Sequence, residues 1–146
     1  MSVPAGQRAF EKVYAEVQQF YSRHIQLMDE GPAEEAVRTF TADASLLSPP
    51  KIAEPVTGHA NLLAGLRNAL AAWAEAGETY RRCYTMVSVV PQPDGRLHVR
   101  SYVQVIATAP GAAPRLHAMC VCEDVLVWED GELKVYQRVV TRDDVR

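Results

Sequence analysis

Lysine is scarce in this chain of 146 residues. Only Lys12, Lys51 and Lys134 stand beside twelve arginines, no basic run forms, and the net charge is −3. Nucleic acid and anionic membrane surfaces are therefore not expected as partners. No apolar run approaches the length of a membrane span, and the N-terminus lacks the charged-then-apolar order of a signal peptide, so a soluble, cytoplasmic protein is expected. The three cysteines are an odd number, which argues against a disulfide framework and fits a reducing compartment. Cys120 and Cys122 sit two apart and project in parallel, a poor geometry for bridging, and no second Cys/His cluster follows at a metal-binding spacing. Also missing are a glycine-rich phosphate loop, a Gly-x-Ser-x-Gly elbow and a His-Glu-x-x-His motif. Chemistry without metal or cofactor is what these absences leave.

What is present is organised around residues 79–140. Four strands are predicted there, Thr79–Val90, Arg96–Thr108, Arg115–Trp128 and Glu132–Val140, broken by Asp94-Gly95, by the loop from Pro110 to Pro114, and by Asp130-Gly131. Asp-Gly between alternating apolar residues is a strong hairpin signal, so a long antiparallel meander is expected. Taking both Asp-Gly pairs as two-residue turns sorts the side chains onto two faces. One face is mainly apolar and carries Arg82, Tyr84, Met86, Ser101, Cys122, Asp124 and Gln137. The other is mixed and carries Arg100, Tyr102, Glu123, Tyr136 and Arg138, with His98 and His117. Any bulge reverses this sorting beyond it.

Upstream, Phe10, Val13, Tyr14, Val17, Phe20, Tyr21, His24, Leu27 and Met28 recur at helical spacing, predicting a helix from Gln7 to Glu30 with His24 in the middle of its apolar stripe. Gly31-Pro32 stops it and opens a second helix over Pro32–Phe40. Ala44–Leu47 reads as a short strand, followed by a loop to Gly58 and a third helix over His59–Ala76. One domain spanning 1–146 is expected, of α+β class: a strongly curved antiparallel sheet wrapped as a cone-shaped barrel on three N-terminal helices. The apolar side of the meander turns inward in this reading, and Arg82, Asp124 and His24 look into one hollow.

The helix end Tyr21–Asp29, the run "TADASLLSP", the helix after Thr57-Gly58, and the strands "YRRCYTMVSVV", "RSYVQVIAT" and "CEDVLVWEDGELKVYQRVV" together resemble the SnoaL-like branch of the nuclear transport factor 2 superfamily. The resemblance covers nearly the whole chain and is strongest to small proteins of bacterial aromatic polyketide pathways. It implies a hydrophobic, polycyclic aromatic ligand and a cofactor-independent cyclase, isomerase or dehydratase that moves a proton next to a carbonyl. A non-catalytic ligand-binding or accessory protein, or an oxygenase β-type subunit, is the alternative.

Asp124 is the candidate base or acid, because a carboxylate enclosed by an apolar wall moves towards the working range of a general base. Arg82 and Tyr84 are candidates to stabilise an oxyanion, and His24 to relay protons. Arg82 stands where dehydratase-like relatives often have His, and Met86 where they have Asn. Arginine does not titrate near neutrality, so a dehydratase-type base at this position is disfavoured. Arg82 either binds ligand or pairs with Asp29. Tyr21, Asp29, Tyr84, Met86, Ser101, Cys122, Gln137 and His59 make up the expected ligand site. The Arg100–Glu123–Arg138 row, with Tyr102 and Tyr136, marks the face on which the resemblance implies homodimerisation.

Overall fold

The computed structural model describes residues 9–145, so Gln7 and Arg8 of the predicted first helix and Arg146 lie outside the described residues. Helix α1 (Phe10–Glu30) buries Val13, Val17, Tyr21, His24 and Ile25 along the predicted stripe and ends at Gly31, whose φ of 77° lets its N–H reach the Leu27 carbonyl. Helix α2 (Ala33–Val37) is only five residues long. Chain predicted as helix from Arg38 to Phe40 instead turns into β1 (Phe40–Ser48), longer than the predicted Ala44–Leu47. The expected loop after Pro50 contains a strand, β2 (Ile52–Thr57), paired antiparallel to β1. Helix α3 (His59–Ala76) has the predicted bounds and stops at Gly77, in the left-handed conformation that favours glycine.

The meander is β3 (Thr79–Pro91), β4 (Leu97–Thr108), β5 (Arg115–Glu129) and β6 (Glu132–Arg142). Among the described residues six strands form one sheet in the order β2-β1-β6-β5-β4-β3, antiparallel except where β1 runs parallel to β6. This curved, mostly antiparallel sheet packs on the helices, and the α+β class holds. The main core gathers Val13, Val17 and Tyr21 of α1, Ala36 and Val37 of α2, Leu62 and Leu66 of α3, and Phe40, Val99, Leu126 and Val135 of the sheet.

One shifted turn and three bulges reset the predicted faces. The first hairpin turns over residues 92–96, not at Asp94-Gly95 alone, because Pro91 pairs with Leu97. That one-residue offset turns Ser88 and Val90 outward and Val87 and Val89 inward. A bulge at Met86, whose φ is 52°, restores the predicted order at Tyr84 and Arg82. Met86 itself is 75% exposed, so its expected place on the ligand wall is corrected: it points to solvent. A second bulge near Ile106 turns His117, predicted on the outer face, against the edge of the Tyr80 ring, 5.4 Å between centroids.

The third bulge has the largest consequence. Asp130-Gly131 is a two-residue turn with both φ positive, as predicted, and Leu126 pairs with Val135. Yet Val125 pairs with Gln137, so Tyr136 is the extra residue and everything beyond it changes face. Gln137 is exposed on the outer face, and Arg138 is 3% exposed in the interior. Both placements correct the expectation from sequence, which assigns Gln137 to the inner face and Arg138 to the outer one.

Candidate functional site

Arg138 enters the interior directly opposite Asp124. Its Nε donates to Asp124 Oδ1 at 2.9 Å and its Nη2 to Oδ2 at 2.8 Å, a planar two-point pairing. Tyr21 Oη donates to the same Oδ2 at 2.7 Å, and the Cys122 thiol to Oδ1 at 3.3 Å. Every acceptor direction of the carboxylate is thus used. A charge pair this deep needs all its hydrogen bonds, since desolvation otherwise outweighs the attraction.

The ring of Tyr84 stacks on Tyr21 at 5.4 Å, and the Arg138 guanidinium lies 5.6 Å from the Tyr84 centroid and 5.5 Å from that of Phe40. Burial, followed by the Asp124 charge, raises the pKa of Tyr21 well above the ordinary value; burial is likewise the main cause raising Tyr84. Both phenols therefore stay protonated, and Tyr21 is the one that donates to Asp124. Burial pushes the Cys122 thiol up as well, which makes it a buried donor and not a nucleophile. Ser101 pairs with Cys122 across β4 and β5 and is 1% exposed, and its buried hydroxyl has no hydrogen-bond partner.

His24 is fully buried one helical turn beyond Tyr21. The Thr39 hydroxyl donates to the Ala36 carbonyl at 2.5 Å, so its remaining role towards His24 Nδ1, 2.6 Å away, is acceptor. The proton is thereby placed on Nδ1, and the unpartnered Nε2 carries the lone pair. Burial, then the charges of Arg138 and Arg82, lowers this pKa well below the ordinary value. Thr39 is a member of the site that no sequence motif marks.

Arg82 stands apart from this cluster. Its backbone N–H donates to Asp29 Oδ2 at 3.0 Å and its Nη1 lies 3.2 Å from Asp29 Oδ1, without hydrogen-bond geometry at that oxygen. The pair forms, and the guanidinium also covers the Trp73 ring at 5.0 Å. Desolvation raises the Asp29 pKa despite these two contacts with Arg82. His59 Nε2 lies 2.8 Å from the Phe40 carbonyl and fastens the start of α3 to β1.

Arg82, Asp124 and His24 consequently do not share one open hollow. Asp124 and His24 are enclosed, and Arg82 is partly exposed. Beside it the inward positions Tyr84, Val105, Ala118 and Val140 around Val103, Cys120 and Cys122 are only partly covered and make up an apolar wall on the inner side of the curved sheet. Two surface depressions lie elsewhere. One, of about 460 Å³, runs over the outer face beside Arg100, Glu123, Gln137 and Val139; the other, of about 600 Å³, lies beside Phe20, His24, Thr39 and Lys134. On the outer face Arg100 lies 3.4 Å from Glu123, and Val139 takes the place expected for Arg138 in that row. Tyr102 is beneath Arg100 and Tyr136 beneath Arg96.

Among the described residues no group of three or more His, Cys, Asp or Glu side chains is placed to hold a metal ion, and no helix is long and apolar enough to cross a membrane.

A helix-backed, curved sheet with a polar floor under a partly uncovered apolar wall defines a cone of the nuclear transport factor 2 kind. The chain belongs to the SnoaL-like domain family, whose model matches residues 12–139. Among solved structures it is similar to ActVI-ORFA from Streptomyces coelicolor, with 29% identity and a TM-score of 0.82 over 91% of this chain and 99% of that one. It is similar also to Aln2 from a Streptomyces species, with 30% identity and a TM-score of 0.84 over 92% and 93%. A protein from Catenulispora acidiphila, solved in complex with S-DNPA, has 28% identity and a TM-score of 0.78 over 92% and 96%. No curated protein gives a significant match.

Proposed function

We propose that the chain binds an aromatic polyketide-like intermediate against the concave wall and acts on it as a cofactor-independent cyclase, isomerase or dehydratase. The observation that carries this reading is the Asp124–Arg138–Tyr21 cluster behind Tyr84, a preorganised polar floor beneath apolar surface. Tyr84 donates to a substrate carbonyl, and Arg138 behind its ring favours the negative charge that develops on that oxygen. Asp124 accepts the neighbouring proton once Tyr21 releases its bond, and neutral His24 relays protons. Arg82, held by Asp29, lines the entrance. The neighbour solved in complex with S-DNPA supports a small-molecule ligand. Homodimerisation through the outer sheet face, around Arg100, Tyr102, Glu123 and Tyr136, belongs to the same proposal, as does a cytoplasmic location.

The test is incubation of the purified protein with a reactive poly-β-keto intermediate. The expected result is a changed product or stereochemistry, lost in Tyr84→Phe and Asp124→Asn variants that keep the native circular dichroism spectrum. An unchanged product mixture with wild-type protein overturns the catalytic reading.

A second reading, a non-catalytic carrier or accessory protein, is favoured by one specific observation: all acceptor directions of Asp124 are already taken. Saturable ligand binding without turnover distinguishes it.

A further inference from the structure

Tyr80, Arg82 and Tyr84 alternate along β3 and face the same side of the sheet, so they form one line from the rim to the floor of the wall. Two strand steps of two residues make that line about 13 Å long, the dimension of a fused polycyclic skeleton. At its rim end the line is covered by Trp73, while His117 meets the Tyr80 ring at right angles. The Trp73 ring stacks on Tyr80 with centroids 4.8 Å apart and planes 24° from parallel, and the same indole lies under the Arg82 guanidinium at 5.0 Å. The Tyr80 ring and the Arg82 guanidinium are thus a platform for a flat aromatic system, and the chain supplies its own aromatic ring to it.

The helix carrying that ring is unevenly held. The two buried residues of α3, Leu62 and Leu66, both lie in its first half, and His59 fastens its start to β1. Trp73 sits in the last turns, only partly buried, one residue short of Ala74, whose carbonyl receives the N–H of the Gly77 cap. The distal half has no fully buried residue: Leu70 packs on the core while partly buried, Trp73 lies between Tyr80 and Arg82, and the Trp73 carbonyl accepts the Glu78 N–H at 3.2 Å, so this less deeply buried end is the one that opens first.

We propose that the Tyr80–Arg82 platform is an aromatic subsite, and that Trp73 is the gate covering it. A planar, fused-ring ligand takes the place of the indole when the distal turns of α3 swing away, and then lies along the line towards Tyr84. Because Asp29 already neutralises Arg82, the platform selects a flat π surface and not an anionic charge. This inference rests on the proposed use of the concave wall, and it adds to that reading an entry route and a recognition element.

The experiment measures binding of 2-(hydroxymethyl)anthraquinone, an uncharged fused-ring probe, to the full chain by titration calorimetry, and its kinetics by stopped-flow tryptophan fluorescence. A closed gate lowers apparent affinity by the fraction of time it is open. Trp73→Ala is therefore expected to bind about tenfold more tightly than wild type, with Trp73→Leu as a second variant that keeps apolar bulk on the helix. In the Trp128→Phe background, where Trp73 is the only tryptophan left, the wild-type gate is expected to give a fluorescence change whose observed rate levels off with ligand concentration. Adding Tyr80→Ala to Trp73→Ala is expected to reverse the gain. If wild type binds while both Trp73 variants bind equally or more weakly, or the rate rises linearly without limit, the gate is overturned and the ligand wall stands. If neither wild type nor variants bind, the reading of the wall falls and the gate with it.

Discussion

Asp124 and Arg138 face each other across β5 and β6 and share two hydrogen bonds of 2.9 and 2.8 Å in a part of the interior where both side chains are at most 4% exposed. Removing one partner strands a charge out of water, whereas replacing both does not. Arg138→Met is expected to cost about 3–5 kcal/mol in urea unfolding, and Asp124→Leu with Arg138→Met together clearly less than the sum of the single changes. Additive costs in that double-mutant cycle would mean that the pairing contributes no coupling.

His24 makes stability fall in mild acid. Its folded pKa is depressed by burial and by Arg138 and Arg82, so below the unfolded value of 6.5 the unfolded chain binds the extra proton. Stability from this group is complete above pH 6.5 and declines as pH falls below it, with a limiting slope of about 1.4 kcal/mol per pH unit. Asp29 acts in the opposite sense, since its folded pKa is raised: its contribution is complete below the unfolded value of 3.8 and is lost as pH rises through the folded value. Urea unfolding between pH 7 and 5 should show the histidine slope, and His24→Gln should flatten it. An equal slope in the variant removes His24 as the cause.

The thiols should divide into one and two. Cys83 is exposed, while Cys120 and Cys122 are buried, and burial raises the pKa of both. A thiol-reactive disulfide reagent is expected to label one cysteine per chain rapidly in native protein and all three in denaturant. Rapid labelling of Cys122 would show that the polar floor opens on its own.

Tyrosine ionisation offers a check on the same floor. Tyr21 and Tyr84 have raised folded values, so the stability they contribute is present below pH 10 and lost as pH rises above it. Spectrophotometric titration should leave two of the six tyrosines un-ionised until the chain unfolds in alkali. Six phenols titrating together before unfolding is the contrary result.

The outer face predicts association. Reversing charge with Arg100→Glu places it against Glu123 and is expected to shift light-scattering mass from dimer towards monomer, more so at low salt. Wild-type protein that is monomeric at micromolar concentration overturns the dimer outright.

Much of this molecule was written in local pattern. The 3.6-residue stripe from Phe10 to Met28, the stop at Gly31-Pro32, the bounds of α3 and the Asp130-Gly131 turn follow from periodicity and backbone preference, which act over a few residues and need no distant partner. The placement of Asp124, Ser101 and Cys122 inside follows from the same alternation. One further signal lies in the sequence: a carboxylate in an apolar wall demands a cation, and Arg138 is one residue from the position assigned to Gln137.

Only the tertiary structure decided where each strand slips. The extra residues at Met86, near Ile106 and at Tyr136 leave no mark in propensity, because a bulge is chosen by how the whole sheet must twist to close on its helices. Each one reverses the faces beyond it, so Arg138 joins Asp124, Met86 leaves the wall and His117 meets Tyr80. Short-range chemistry thus set which elements form, and long-range packing set which side chains meet.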